Sequence, residues 1–107
     1  MLTDWTECKG HQIRVKRKWR LTPEITDFVV ECLRGLAANF ASEGDWGMVD
    51  ETMKDLGRVW YGPVNSRKRI IEDLLWSWVT DFPAEFKRYS VVRQVVDIRE
   101  ISGRRVG

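Results

Sequence analysis

Arg14, Lys16, Lys18 and Arg20 occupy every second position of residues 12–21, with Ile13, Val15, Arg17, Trp19 and Leu21 between them. Four cations in one row do no bond-making chemistry by themselves. They neutralise phosphates or carboxylates, and on a nucleic acid they release counterions without reading sequence. Period-two alternation is the geometry of a half-buried strand, so the apolar set is expected on a core and the cations on the opposite face. Nucleic acid is the leading partner for such a face, and Trp19 would stack on a base where exposed. An acidic protein surface fits it too, as does a lysine-guarded strand edge satisfied within the fold.

Arg67, Lys68 and Arg69 form a second basic group at the start of an expected helix. Cations there oppose the helix dipole, and a broken local rule often marks a functional surface. The preceding helix and the turn at residues 62–65 give an outline of a helix-turn-helix, although Glu72 and Asp73 follow at once and repel phosphate. Trp76 falls opposite the apolar arc of the same helix, beside charged residues, as a protein-interface anchor would. The competing expectation is that the C-terminal strand covers it. Trp46, Trp60 and Trp78 are expected in the core, and Trp5 is unassigned.

Catalytic patterns are sparse. His11 is the one histidine, and with Cys8 it makes half of a metal site lacking a second pair. Asp81, Glu85 and Lys87 are a loose echo of metal-dependent hydrolysis, but a helix-ending proline separates the acids. A catalytic triad and a phosphate-cradling glycine loop are both lacking from the sequence. No catalytic residue, metal or cofactor is therefore assigned, and the chain is expected to be a binding module and not an enzyme.

The elements around these residues follow from capping and periodicity. Thr22-Pro23-Glu24 starts a helix, and Ile25, Phe28, Val29, Cys32, Leu33, Leu36, Ala37 and Phe40 extend it to about residue 41. Asp45 caps a second helix, in which Trp46, Val49, Met53, Leu56 and Trp60 form an apolar stripe. It ends near residue 60, or earlier at Gly57. Asn65 or Ser66 caps a third, central helix running to Phe82, where Pro83 stops it. Residues 89–101 read as a second strand with a bulge near Arg93-Gln94. Residues 1–11 and 102–107 are expected to be irregular.

The fold expected is α+β: strand, three helices, strand, with the terminal strands pairing in a small sheet packed on a helical layer. At 107 residues this is one domain, and 43% hydrophobic with 32% charged residues describes a globular chain. The formal charge of +2 is unevenly spread: six cations and no acid lie between Lys9 and Arg20, and acids dominate from Leu21 to Gly57. Open strand edges and this polarity point to a homodimer. Two cysteines and no apolar run long enough for a bilayer place the chain in the cytoplasm, or in the nucleus of a eukaryotic host. The alternative function is a protein–protein adaptor or inhibitor working through Trp76, Trp19 and a strand edge. A compact, tryptophan-rich chain of this kind would suit a phage or viral accessory protein.

Overall fold

The structure is a computed structural model that describes residues 4–101. Its elements, in order, are β1 (Thr6–Cys8), β2 (His11–Val15), α1 (Pro23–Ser42), α2 (Trp46–Tyr61), α3 (Val64–Asp81), α4 (Pro83–Phe86), α5 (Ser90–Arg93) and β3 (Val96–Glu100). The α+β class holds: a three-stranded antiparallel sheet of order β1-β2-β3 packs on helices, and the first long strand pairs with the last. Two compact units divide the chain. One contains the residues up to Arg20 and those from Glu72 onward, and the other is Leu21–Ile71.

In the first unit, the stretch expected to be irregular forms a hairpin from residue 6. Lys9 (φ 51°) and Gly10 (φ 81°) both take left-handed backbone between β1 and β2. Two such residues make the tight turn whose twist matches an antiparallel pair. Lysine is unusual there, and its ammonium is held by the Asp81 carbonyl at 2.7 Å. On the inner face of the sheet, Ile13 opposes Ile98 and Val15 opposes Val96. Ile13, Val15 and Val96 are buried, as are Leu75, Val79, Val92 and Val95 of the same unit.

The basic strand is shorter than its alternation implies. After the bond from Lys16 N–H to the Val95 carbonyl, the chain bends at Arg17 and Lys18. Arg17 would occupy the next core-facing position, where an unpaired guanidinium is costly to bury. On the partner side, residues 90–93 form a short helix instead of continuing the expected strand. Val91, Val92, Val95 and Val96 are buried at the spacing of a helical turn followed by a strand, which accounts for the break in alternation without a bulge.

In the second unit, α1 and α2 form a helical hairpin. The Thr22 hydroxyl accepts the Ile25 N–H, and Asp45 accepts the Met48 N–H, so both expected caps are made. The core of this unit contains Ile25, Val29, Val30, Leu33, Val59 and Ile71. The expected packing of α2 needs correction. Thr52 and Val59 are its buried residues, while Trp46 is 66% exposed, Met53 48% and Trp60 45%. Nor does Gly57 end the helix. That role falls to Gly62, where a Cβ would stand 2.7 Å from the Arg58 carbonyl oxygen.

α3 begins at Val64, slightly before the expected caps. Its Arg67 turns back: Nε donates to the Val59 carbonyl at 2.8 Å, and a terminal nitrogen donates to the buried Thr26 hydroxyl at 3.1 Å. One side chain thus satisfies an orphan carbonyl in the last turn of α2 and ties it to α1 and α3. Arg67→Met is expected to destabilise the fold by about 1.5–3 kcal/mol, the range for hydrogen bonds to a charged group. A thermal melt checks this. The drop should exceed that of Arg69→Met, whose guanidinium is exposed.

Candidate functional site

Pairing register decides which side chains share the outer face of the sheet. Arg14 lies directly opposite Asp97, and Gln12 opposite Arg99 and Glu7. Arg14 Nε donates to Asp97 at 2.9 Å, and the Lys16 ammonium lies 3.6 Å from the other carboxylate oxygen. Arg99 Nε donates to the Gln12 side chain at 2.9 Å. These are half-exposed contacts in high dielectric, so they orient side chains more than they stabilise the fold.

Trp5, unassigned from sequence, organises this face. Its ring centroid is 4.4 Å from the Arg14 guanidinium and 3.9 Å from that of Arg99. Because Arg99 belongs to β3, the ring reaches across the middle strand. Contacts of this kind are worth about 0.5–1 kcal/mol where exposed. Around Trp5 lies a shallow recess lined by Arg14, Lys16, Arg93, Arg99 and the single carboxylate Asp97. Arg93 and Arg99 could not be placed here from sequence, because their stretch did not show which residues belong to the strand. Trp5 was hidden by the unrecognised hairpin.

The other expected site residues separate. Lys18 and Arg20 are exposed but lie past the end of β2, so they are not in one row with Arg14 and Lys16. Trp19 is 8% exposed, and its indole N–H donates to Glu72 at 2.6 Å. It is a core residue with a satisfied polar tip and presents no stacking surface. Arg67 is committed to Val59 and Thr26, Lys68 is half-buried, and Arg69 is exposed beside a recess lined by Asn65, Ser66 and Ile70. Trp76 is half-buried, intermediate between an exposed interface anchor and a covered core residue. Trp78 is also half-buried and stacks on Phe86 at 6.3 Å.

Cys8 and His11 face each other across the hairpin. The Cys8 thiol donates to the Thr80 carbonyl at 3.0 Å, and His11 Nδ1 meets the Lys9 carbonyl at 3.1 Å. His11 Nε2 is buried and finds no hydrogen-bond partner among the described residues. No group of three histidine, cysteine or acidic side chains suited to a metal occurs among them. Burial, followed by the nearby Glu31 charge, pushes the Cys32 thiol pKa up, which keeps it protonated as a small hydrophobe. No helix among the described residues is long and apolar enough to cross a membrane. Comparison with known protein families, curated proteins and solved structures returns no match.

Lys87 pairs with Glu100, at the end of β3, and not with Asp81 or Glu85. The lysine's hydrogen bond, then its charge, holds the Glu100 carboxyl below its ordinary value of 4.5. A carboxyl with a depressed folded-state pKa stabilises the fold above its unfolded value, and that contribution is lost as pH falls through the folded value. Lys87→Met is therefore expected to raise the Glu100 pKa and leave stability less sensitive to acid below about pH 4.5. Carboxyl-carbon NMR titration of Glu100, with melts on either side of that range, reads both effects.

Proposed function

We propose that this chain is a non-enzymatic binding module whose cationic sheet face engages an acidic partner, with nucleic acid favoured. The observation that carries the reading is the Trp5 recess, where Arg14, Lys16, Arg93 and Arg99 converge on one aromatic ring with Asp97 as the sole lining carboxylate. Lysines and arginines supply phosphate contacts, while Trp5 and the guanidinium planes beside it are surfaces on which an unpaired base stacks. Single-stranded nucleic acid suits this combination better than duplex, whose bases are already stacked. Lys18 and Arg20 extend the positive field along the adjoining segment. No cofactor or metal enters the proposal, and the setting is a reducing cytoplasmic or nuclear one.

The chain is also proposed to act as a homodimer. The competing function is an adaptor or inhibitor of another protein through Trp76 and an open strand edge. It draws on β1 and β3 being the two outer strands of the sheet.

Fluorescence anisotropy with a labelled single-stranded oligonucleotide, a duplex and a polyglutamate peptide separates these readings. Binding to the single strand is expected to fall steeply with salt, each phosphate contact contributing about 0.7 to the log–log slope. Lys16→Glu with Lys18→Glu should abolish binding and leave the circular dichroism spectrum intact. Trp5→Ala should cost about 1–3 kcal/mol, the worth of one stacked base. Asp97→Asn should tighten binding by releasing Arg14 and Lys16. Equal or stronger binding of polyglutamate would move the assignment to an acidic protein surface.

A further inference from the structure

α2 carries an apolar surface that its own unit leaves uncovered. The exposed Trp46, Met53 and Trp60 recur every seven residues, with the half-buried Val49 and Leu56 between them at the complementary heptad positions. This is the three–four spacing of a helix–helix seam, in which each side chain inserts between those of a facing helix. The residues packed inside the unit, Thr52 and Val59, lie one step around the helix. The seam is therefore additional to the face that holds α2 in place. Trp46 and Trp60 alone present on the order of 200 Å² at about 150–250 Å² per aromatic side chain. That is roughly a quarter of what one partner buries in a standard interface, and Met53 adds to it.

We infer that this seam joins two copies of the chain, α2 against α2 in antiparallel fashion, with Trp46 of each copy seated beside Trp60 of the other. The inference rests on the homodimer reading above and gives that dimer a surface other than the strand edges. Three observations select a second copy. First, Trp60 closes the seam at one end and also walls a recess with Leu21, Pro23 and Val64, while Trp46 projects at the other end. Anchor and recess are 14 residues apart on one helix, or about 21 Å. A twofold axis near Met53 brings each anchor to the other copy's recess, so the surface is self-complementary. Asp27 also lines this recess and offers a carboxylate to an incoming indole N–H.

Second, the charges suit antiparallel pairing. The cap Asp45 with Asp50 and Glu51 makes the N-terminal end of α2 acidic, while its C-terminal half carries Lys54 and Arg58 against the single acid Asp55. Opposed helices place unlike halves together and align their dipoles favourably. Third, the polar side of α2 carries more acids than bases, with Asp50 and Glu51 paired to Lys54 and Asp55 paired to Arg58. A helix that lies on an anionic membrane carries a lysine- and arginine-rich polar face instead.

Sedimentation equilibrium of the full chain from 1 to 100 μM, in nuclease-treated samples, tests the inference. The wild type is expected at twice its 12.6 kDa mass. Trp46→Ala and Met53→Glu should each weaken the dimer by about 30-fold or more, the effect of losing a central anchor. Both positions are exposed, so the far-ultraviolet circular dichroism of each variant should match the wild type. Met53→Cys, near the axis, should form an intermolecular disulfide on mild oxidation at a yield that wild type, with its half-buried Cys8 and Cys32, does not reach. This cross-link decides the matter if a variant misfolds. A wild type that stays monomeric at 100 μM overturns both the dimer and its surface, and binding of that monomer to zwitterionic vesicles would assign the seam to a membrane. A dimer indifferent to both substitutions, with Met53→Cys uncross-linked, leaves the homodimer standing and overturns the surface.

Discussion

A strand that alternates aliphatic and cationic side chains can be buried on one side only, and much of the first unit follows from that constraint. Ile13 and Val15 must reach a core, so Gln12 and Arg14 must face away from it. With strands on both sides, β2 makes its backbone hydrogen bonds within the sheet, and its cations have no edge to protect. Their immediate environment is supplied by the neighbours: Asp97 from β3 and Trp5 beside β1. The strand stops where the alternation would put Arg17 into the core, where a guanidinium is costly to bury.

Crowding Arg14, Lys16, Arg93 and Arg99 around one recess sets like charges against one another. Asp97 relieves this for Arg14 and Lys16, and Trp5 receives the guanidiniums of Arg14 and Arg99 on its electron-rich ring. The result is a cationic surface held in shape by one anion and one aromatic group. Preorganisation of this kind lowers the conformational entropy an incoming partner must freeze. Without it, four long side chains would each lose rotamer freedom on binding.

Helix α1 was legible because Thr22, Pro23 and a long periodic apolar arc all agree, and β2 because five residues alternate without exception. The segments whose structure departs from the pattern are those where two surfaces compete for it. The stripe of α2 is a true helical seam, yet the unit buries Thr52 and Val59 instead, and periodicity cannot say which of two adjacent stripes faces inward. The hairpin was missed because its turn uses Lys9-Gly10, where asparagine or aspartate before glycine would have announced it. Valine-rich residues 91–96 read as strand by composition, while their burial spacing contains a helical turn. Of the recess, Arg14 and Lys16 were visible from alternation. Trp5, Arg93 and Arg99 were not, because pairing register brings them together and sequence order does not.

The formal charge of +2 is a poor guide to the field at the sheet face. At physiological ionic strength a charge is felt over about 8 Å, so a partner proposed for the sheet face would sense chiefly the cations local to it. Whole-chain charge would therefore understate the proposed attraction, while salt sensitivity would report the local count. The proposed pairing of two copies would give each particle two such faces. Two weak contacts to one strand then act at an effective concentration set by their spacing, and avidity can exceed the single-face affinity by about 10²–10⁴ where both engage. The proposed assembly through an apolar seam would thus strengthen binding without adding cations to a face whose own side chains already repel one another.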